Sequence, residues 1–354
     1  IEKNNVCGKK ILATGNGRCN YWNEEQSILH YRSNNIDLVK EVLSNKNKEM
    51  ILEFFEEIGI LPKIKNGYYY PFSNQAITMQ KALVLEVEKL NIDIKTNMII
   101  KDIKNIGDKF IILTEDGANM EADRIILATG SKAAPKTGSD GIGYKISERF
   151  NHLIINPLPA LVQLKAKESF LKQWEGVRAD VAITLIENNK KLAEEKGEIQ
   201  LTNYGVSGIC IFNLSGRVAR GLADGKKEKI EINFLEGLDI KSEDEFVRWF
   251  ALRNQKIKNR TIGELLEGVL NYKLVNVLLK RAKLNDKDKW NEIDEKSKIK
   301  LAKNVIKFDL DIIGTNSFDK AQVCSGGIPL NEIDIKTMES KKQKGLYIVG
   351  ELLD

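Results

Sequence analysis

The spacing of apolar positions changes several times along the chain, and each change marks an element. Between 36 and 58, Leu38, Val42 and Leu43, then Ile51, Phe54, Phe55 and Ile58, recur at three- and four-residue intervals, which predicts helix closed by Gly59 and Pro62. Tyr68-Tyr69-Tyr70-Pro71-Phe72 reads as an aromatic turn. Ser73 or Asn74 is placed to cap a helix over 75–90, with Ala76, Met79, Leu83, Val87 and Leu90 on one face. The period then drops to two. Ile92-Asp93-Ile94-Lys95-Thr96 alternates, as do parts of 98–106 and 109–115, and Asp116-Gly117 predicts a hairpin turn. Ile125-Ile126-Leu127-Ala128 is a continuous apolar run, the pattern of a strand buried on both faces of a parallel sheet, and it ends at Thr129-Gly130.

From about 159 the character differs. Val181–Ile186, Ile199–Leu201, Ile209–Phe212 and Ile230–Phe234 read as strands, with Gly205-Val206-Ser207-Gly208 as a turn between two of them. That turn misses the G-x-S-x-G elbow of serine hydrolases by one position. A helical block follows. Thr261 and Glu264 have capping-box spacing ahead of Leu265, Leu266, Val269 and Leu270, and Leu274, Val277, Leu278 and Ala282 continue the period. Trp249 and Trp290 are assigned to the core. Ala321–Cys324 is a strand running into Ser325-Gly326-Gly327, and Gly345–Glu351 is a buried strand ending in Gly350-Glu351.

Composition narrows the class. At 354 residues the chain predicts two or three domains. No apolar run approaches the roughly 18 residues that span a bilayer. No secretory signal is visible, so Cys7, Cys19, Cys210 and Cys324 are expected as reduced thiols in the cytoplasm; their scatter fits no zinc spacing. His30 and His152 stand too far apart in sequence to suggest a metal site. Lys and Arg (55) nearly balance Asp and Glu (50) in mixed runs, which predicts a solvated mixed-sign surface rather than a nucleic-acid footprint. The most basic stretch, Arg253 to Arg260, has no interleaved aromatics for bases to stack on.

Three segments share one design: Gly15-Asn16-Gly17-Arg18-Cys19-Asn20, Ala128-Thr129-Gly130 and Gly350-Glu351. Each puts glycine or small residues at or near the end of a predicted strand. A dinucleotide in an open α/β sheet lies beyond the carboxyl ends of the strands, where a Cβ blocks close approach to its pyrophosphate. Glu2 adds an acidic residue of the type that binds ribose hydroxyls in such folds.

In their order, Ile1-Glu2-Lys3, Gly8–Asn20, Ile126–Lys132, Thr137–Tyr144, Pro159–Val162, Tyr204–Gly208, Ala321–Gly327, Met338–Ser340 and Gly345–Asp354 resemble the BaiN-type NAD(P)/FAD-dependent oxidoreductases. That family includes aminoacetone oxidases and a reductase of bile-acid intermediates. The resemblance spans the chain and implies an α/β fold. A glutathione-reductase-like, Rossmann-type FAD domain is split between 1–158 and 314–354, around an insertion at 159–313 that is β-rich over 159–240 and helical over about 243–306. It implies FAD as cofactor, NAD(P)H as an electron donor and a small organic substrate, handled by an amine or aminoketone oxidase or by an enoyl-type reductase.

By the same resemblance, Glu2 bonds the adenosine ribose and Lys3 lies near the adenine. Lys10, Arg18 and Asn20 approach the pyrophosphate or flavin from the Gly15–Gly17 loop, with the Arg18 fork suited to phosphate oxygens. Ala128, Thr129 and Gly130 line the crevice; Gly350 precedes Glu351, which bonds the ribityl chain. Gly326 and Gly327 open a path for substrate. No catalytic side chain stands out, because a flavin carries the hydride chemistry itself. Cys19 reads as a small residue rather than a redox partner. Family members begin with a strand and a Gly-x-Gly-x-x-Gly turn about thirty residues ahead of the position of Ile1 and run on past Asp354. The chain as written is therefore expected to hold FAD weakly or not at all. Two other classes stand beside the enzyme: a cofactor-deficient fold without catalysis, and a nucleic-acid-associated flavoprotein using 253–260.

Overall fold

The computed structural model describes residues 1–44 and 48–354 and divides into two compact units, 1–157 with 323–354, and 158–322. Among the described residues, no helix is long and apolar enough to cross a membrane, and all four cysteines are free thiols.

The first unit is built around a pair of parallel strands, Ile125–Leu127 and Leu346–Ile348, in register Leu346↔Ile125 to Ile348↔Leu127. Ile125, Leu127, Leu346 and Ile348 are buried with Ile103, Phe110, Ile112, Tyr144, Ile146 and Leu352. Each such side chain stabilises the unit by about 1.5–3 kcal/mol relative to exposure. The expectation that both faces of 125–128 are buried is corrected at one place: Ile126 is 68% exposed, because a strand's successive side chains face opposite ways and only one face here is covered by core.

Ile100–Ile106, Lys109–Thr114 and Asn119–Ala122 form an antiparallel sheet, and the Asp116-Gly117 turn joins the last two as read from sequence. Residues 92–96 form no strand. This segment and the two residues after it are held by the N-terminal segment instead, with Glu2 N donating to Lys95 O (2.8 Å), Asn97 N to Asn4 O (2.9 Å) and Met98 N to Glu2 O (3.1 Å). Tyr68–Pro71 is a strand rather than a turn, central in a sheet with Trp22–Asn23 and Pro62–Lys65. The turn falls at Asn66-Gly67, whose positive φ of 52° and 79° suits a tight hairpin.

The helical region over 36–58 comprises Ile36–Ser44 and Lys48–Glu57; whatever joins them at 45–47 lies outside the described residues. The helix read over 75–90 is Ala76–Lys89, with Gln75 at its N-cap. Ser73 Oγ instead accepts Gln75 N and bonds Thr78 Oγ1, so neither Ser73 nor Asn74 is the cap.

The second unit is a closed six-stranded barrel in the order Arg178–Glu187, Lys190–Leu201, Gly205–Ser207, Leu164–Ala166, Phe308–Thr315, Glu228–Asn233. Alternate positions such as Val181, Ile183 and Leu185 point inward and are at most 1% exposed. Ile209–Phe212, read as strand, is the first turn of helix Ile209–Ala223. Cys210, Ile211, Leu214 and Val218 fall on one buried face while Ile209 is 75% exposed, a helical period that four residues alone do not reveal. The Gly205–Gly208 turn is corrected with it: Gly205–Ser207 is a strand, and Gly208, at φ 120°, starts the helix. Helices Glu243–Lys256, Ile262–Glu267, Tyr272–Ala282 and Glu295–Ile306 complete the unit, the second opened by the Thr261–Glu264 capping box. Trp290 is buried in this core and Trp249 packs against it.

Candidate functional site

The two parallel strands end side by side, and this places the site. Beyond Leu127 the chain makes Ala128-Thr129-Gly130-Ser131; beyond Ile348 it makes Val349-Gly350-Glu351, with Val349 N donating to Leu127 O at 3.1 Å. Two glycine turns distant in sequence thus leave the carboxyl ends of paired strands together, as a site in an open α/β sheet requires. Gly130 has φ +72°, and a Cβ there would lie 2.6 Å from Ser139 Oγ. Gly350 has φ +71° and open space where its Cβ would be.

Glu351 is the hub of this end. Its Oε2 accepts from Lys10 Nζ at 2.5 Å and from Ser131 Oγ at 3.1 Å, and its backbone carbonyl accepts the Tyr144 hydroxyl at 3.2 Å. Burial, then the charges of Cys324, Glu351 and Asp354, push the Tyr144 phenol above its ordinary range, so it stays a donor. Thr129 Oγ1 is buried with no hydrogen-bond partner among the described residues.

The N-terminal segment joins the same end through the 137–140 turn. Glu2 Oε1 accepts from Asn4 N and Asn4 Nδ2, each at 2.8 Å, and Asn4 Nδ2 also donates to Thr137 O at 3.1 Å. Lys3 Nζ pairs with Asp140 at 2.6 Å. The Lys3 pairing is therefore an ion pair within the unit, and Glu2 has one oxygen already engaged.

The Gly15–Asn20 loop follows Lys10 through a turn of 3-10 helix, Ile11–Asn16, rather than a strand as its sequence suggested. Thr14 O accepts from Gly17 N, Arg18 N and Cys19 N at 3.0–3.2 Å, which folds the loop back on itself. Gly17 O caps the first turn of helix Ala76–Lys89 by accepting Ala76 N at 2.8 Å. A Cβ on Gly15 (φ +54°) would lie 3.0 Å from Asn20 N, so glycine is required by both conformation and space. Arg18 Nε donates to Gly15 O at 3.2 Å, and its guanidinium lies 5.0 Å from the Tyr70 ring centroid.

The structure thus links Glu2, Lys3, Lys10, Gly130, Gly350 and Glu351 through Asn4, Ser131 and Asp140, and holds Gly15, Gly17, Arg18 and Asn20 in an adjoining loop. Sequence reasoning assigned no role to Ser131, Asp140 or Tyr144. Ser131 and Tyr144 lay inside quoted motifs, but only the pairing of Ile125–Leu127 with Leu346–Ile348 shows that Ser131 reaches Glu351, 220 positions away. The positions over Gly17 and Gly350 stand nearly free of neighbouring atoms, whereas Thr129 Oγ1 is buried against Gly143, where an added Cβ would collide with it. In the second unit, Arg253 Nε donates to Leu265 O and Arg260 forms an exposed ion pair with Glu264.

Comparison with known proteins identifies the family. A model of the HI0933-like protein Rossmann domain matches residues 1–354, and the chain belongs to that family. It is 36% identical over 354 residues to a 3-dehydro-bile acid delta(4,6)-reductase of Clostridium scindens, covering 100% of this chain and 86% of the relative. It is 26% identical over 356 residues to a ribosomal RNA dihydrouridine synthase of Haemophilus influenzae (98% and 84% covered) and 25% identical over 354 residues to one of Escherichia coli (100% and 85%).

Proposed function

From that membership we propose that the protein is an FAD-dependent oxidoreductase that saturates a carbon–carbon double bond conjugated to a carbonyl in a small organic substrate. The observation that carries the reading is the convergence of the Gly130 and Gly350 turns at the ends of parallel strands, tied by Ser131, Glu351 and Lys10. The name of the relative at 36% identity, a delta(4,6)-reductase, supports a reductase.

FAD bound at this end supplies two-electron hydride chemistry. The chain's own residues position it. Ala128, Thr129 and Gly130 bring small residues and backbone to the end of the first parallel strand. Glu2 has one carboxylate oxygen left to accept a ribose hydroxyl, with Lys3 beside it; Lys10, Arg18 and Asn20 offer donors to phosphate or flavin oxygens, and the Glu351 carboxylate, fixed by Ser131, accepts from the ribityl hydroxyls. Overall, NAD(P)H is oxidised to NAD(P)⁺ while one hydride and one proton add across the substrate double bond.

The test supplies the protein with FAD and NAD(P)H under anaerobic conditions and a steroid 4,6-dien-3-one, following loss of the dienone absorbance. Substrate-dependent NAD(P)H consumption with a saturated product is expected. Peroxide released at every turnover from an amine, without reductase turnover, points to an oxidase. No flavin uptake at saturating FAD assigns the cofactor-deficient class.

A second reading, uridine reduction in RNA, is favoured by the names of two relatives. The absence of aromatic side chains for bases to stack on in 253–260 weighs against an RNA surface there. Dihydrouridine formed in ribosomal RNA with no turnover of the dienone decides for it.

A further inference from the structure

Asn4 lies two residues beyond the acid assigned to the ribose, and its side chain is used entirely on other residues. Its Nδ2 donates to Glu2 Oε1 at 2.8 Å and to Thr137 O at 3.1 Å. A carboxylate and a carbonyl can only accept, so it is the amide nitrogen that faces them. The Asn4 Oδ1 accepts from Lys9 Nζ at 3.5 Å. Gly138 makes room for this arrangement, because a Cβ there would lie 2.5 Å from Asn4 Nδ2. An amide with both donors engaged has none left for a ligand, so its effect falls on Glu2.

Glu2 is held on every side but one. Its backbone N donates to Lys95 O at 2.8 Å, and its backbone O accepts from Met98 N at 3.1 Å. Its Oε1 accepts from Asn4 N and Asn4 Nδ2, each at 2.8 Å. The neighbouring cation is drawn elsewhere: Lys3 Nζ pairs with Asp140 Oδ2 at 2.6 Å, while Asp140 Oδ1 accepts Ile142 N at 3.0 Å at the head of helix Ile142–Arg149. What remains is Glu2 Oε2. An unrestrained carboxylate rotates and offers either oxygen; two bonds from one residue stop that rotation before any ligand arrives, so the ordering cost is not met on binding.

We propose that Asn4 is a positioning residue for the adenosine end of the cofactor: it locks the Glu2 carboxylate so that Oε2 accepts a ribose hydroxyl, and thereby sets the preference for a nucleotide that carries one. The inference rests on the functional reading in bringing FAD to Glu2, and adds the residue that makes Glu2 selective.

The test compares FAD with its 2′,3′-dideoxyadenosine analogue, which keeps the flavin and both phosphates and lacks the ribose hydroxyls. Flavin fluorescence titration of the full chain reads binding without turnover. The unaltered protein is expected to bind FAD roughly tenfold more tightly than the analogue, the effect of one hydrogen bond to a charged group. Asn4→Ala should erase most of that preference by weakening FAD and leaving the analogue where it was; a role in folding alone would weaken both by one factor. Asn4→Asp, which keeps the shape and removes the amide donor, should act in the same direction. In a Glu2→Ala background Asn4→Ala should change the preference no further, since it acts through Glu2. In the unaltered protein the Asn4 side-chain amide resonances should move with FAD and not with the analogue, a readout that needs no variant. Equal weakening of both ligands, a preference unchanged in both variants, or amide resonances that do not move overturns the proposal and leaves the functional reading standing. FAD and analogue bound alike by the unaltered protein removes Glu2 from the ribose and does the same. No uptake of either flavin at saturating concentration overturns the functional reading and the proposal with it.

Discussion

Lys10 Nζ lies 2.5 Å from Glu351 Oε2, an ion pair that joins the residue opening the glycine loop to the residue closing the last parallel strand. Neither side chain is fully buried, so the pair adds little to stability, about 0.2–1 kcal/mol. Its effect is positional: it fixes the carboxylate that Ser131 also holds.

Lys10→Met and Glu351→Gln should each lower FAD affinity roughly five- to tenfold, since each removes a charge-assisted hydrogen bond at the cofactor end. The double variant should lose less than the product of the two, because the residues act as one unit. Flavin fluorescence titration measures the affinity, and urea unfolding should move by no more than the small value above.

Gly130→Ala should destabilise the first unit by about 1–3 kcal/mol. Alanine is strained at φ +72°, and its Cβ would crowd Ser139 Oγ at 2.6 Å. Gly107→Ala separates the two effects, because Gly107 has φ +62° with nothing within 4 Å of the added carbon. It should cost only about 1 kcal/mol. Equal losses in chemical denaturation would remove the steric part of the argument.

His152 is buried between Glu332 Oε2, 2.8 Å from its Nδ1, and Ser340 Oγ, 2.7 Å from its Nε2. Burial depresses its pKa and the Lys342 charge adds to this, while Glu332 opposes them. Burial alone would raise the Glu332 carboxyl, yet bonds from Lys342, His152 and Leu153 N hold it low. A neutral ring donating from Nδ1 to the carboxylate and accepting from Ser340 satisfies all three. The unfolded chain takes up a proton near pH 6.5 that the native ring resists. Stability should thus be full above about pH 6.5 and fall progressively below it. His152→Gln should flatten that part of the pH profile of unfolding; a profile unchanged by the substitution would refute the assignment.

In the second unit Glu228, 4% exposed, faces Glu187 across paired strands, with Lys226 bonded to Glu187 at 3.1 Å. Burial first, then the Glu187 charge, raises its pKa to about 7. The native state therefore binds a proton more tightly than the unfolded chain, and stability is lost as pH rises from about 4.5 through 7. Glu228→Gln removes the titration. It should be more stable than the parent at pH 8, by at most about 3 kcal/mol, with the advantage gone near pH 4.5. Thermal unfolding at the two pH values provides the comparison.

Elements whose signal is local were legible. The Thr261–Glu264 capping box, the Asp116-Gly117 turn and the period of 76–89 each rest on neighbours within a few residues. Segments whose state depends on a distant partner were not. Ile209–Phe212 reads equally as strand or helix until the barrel wall appears on one side of it. Tyr68–Pro71 became a strand because Trp22–Asn23 and Pro62–Lys65 lie on either side to receive its backbone bonds. At the site, the glycine turns and the acid after Gly350 were visible as residue types, whereas Ser131 and Tyr144 gained their partners only through strand pairing.

By itself the sequence determined what each short stretch could be: which residues tolerate positive φ, which faces are apolar, which turns admit a close approach. Tertiary structure decided what those stretches meet. Pairing Ile125–Leu127 with Leu346–Ile348 brings the turns after them together, and placing Lys10 against Glu351 ties the chain's beginning to its end. The physical reason is that covalent geometry and side-chain preference act over a turn or two, while hydrogen-bond partners and buried surface come from whatever the chain folds alongside.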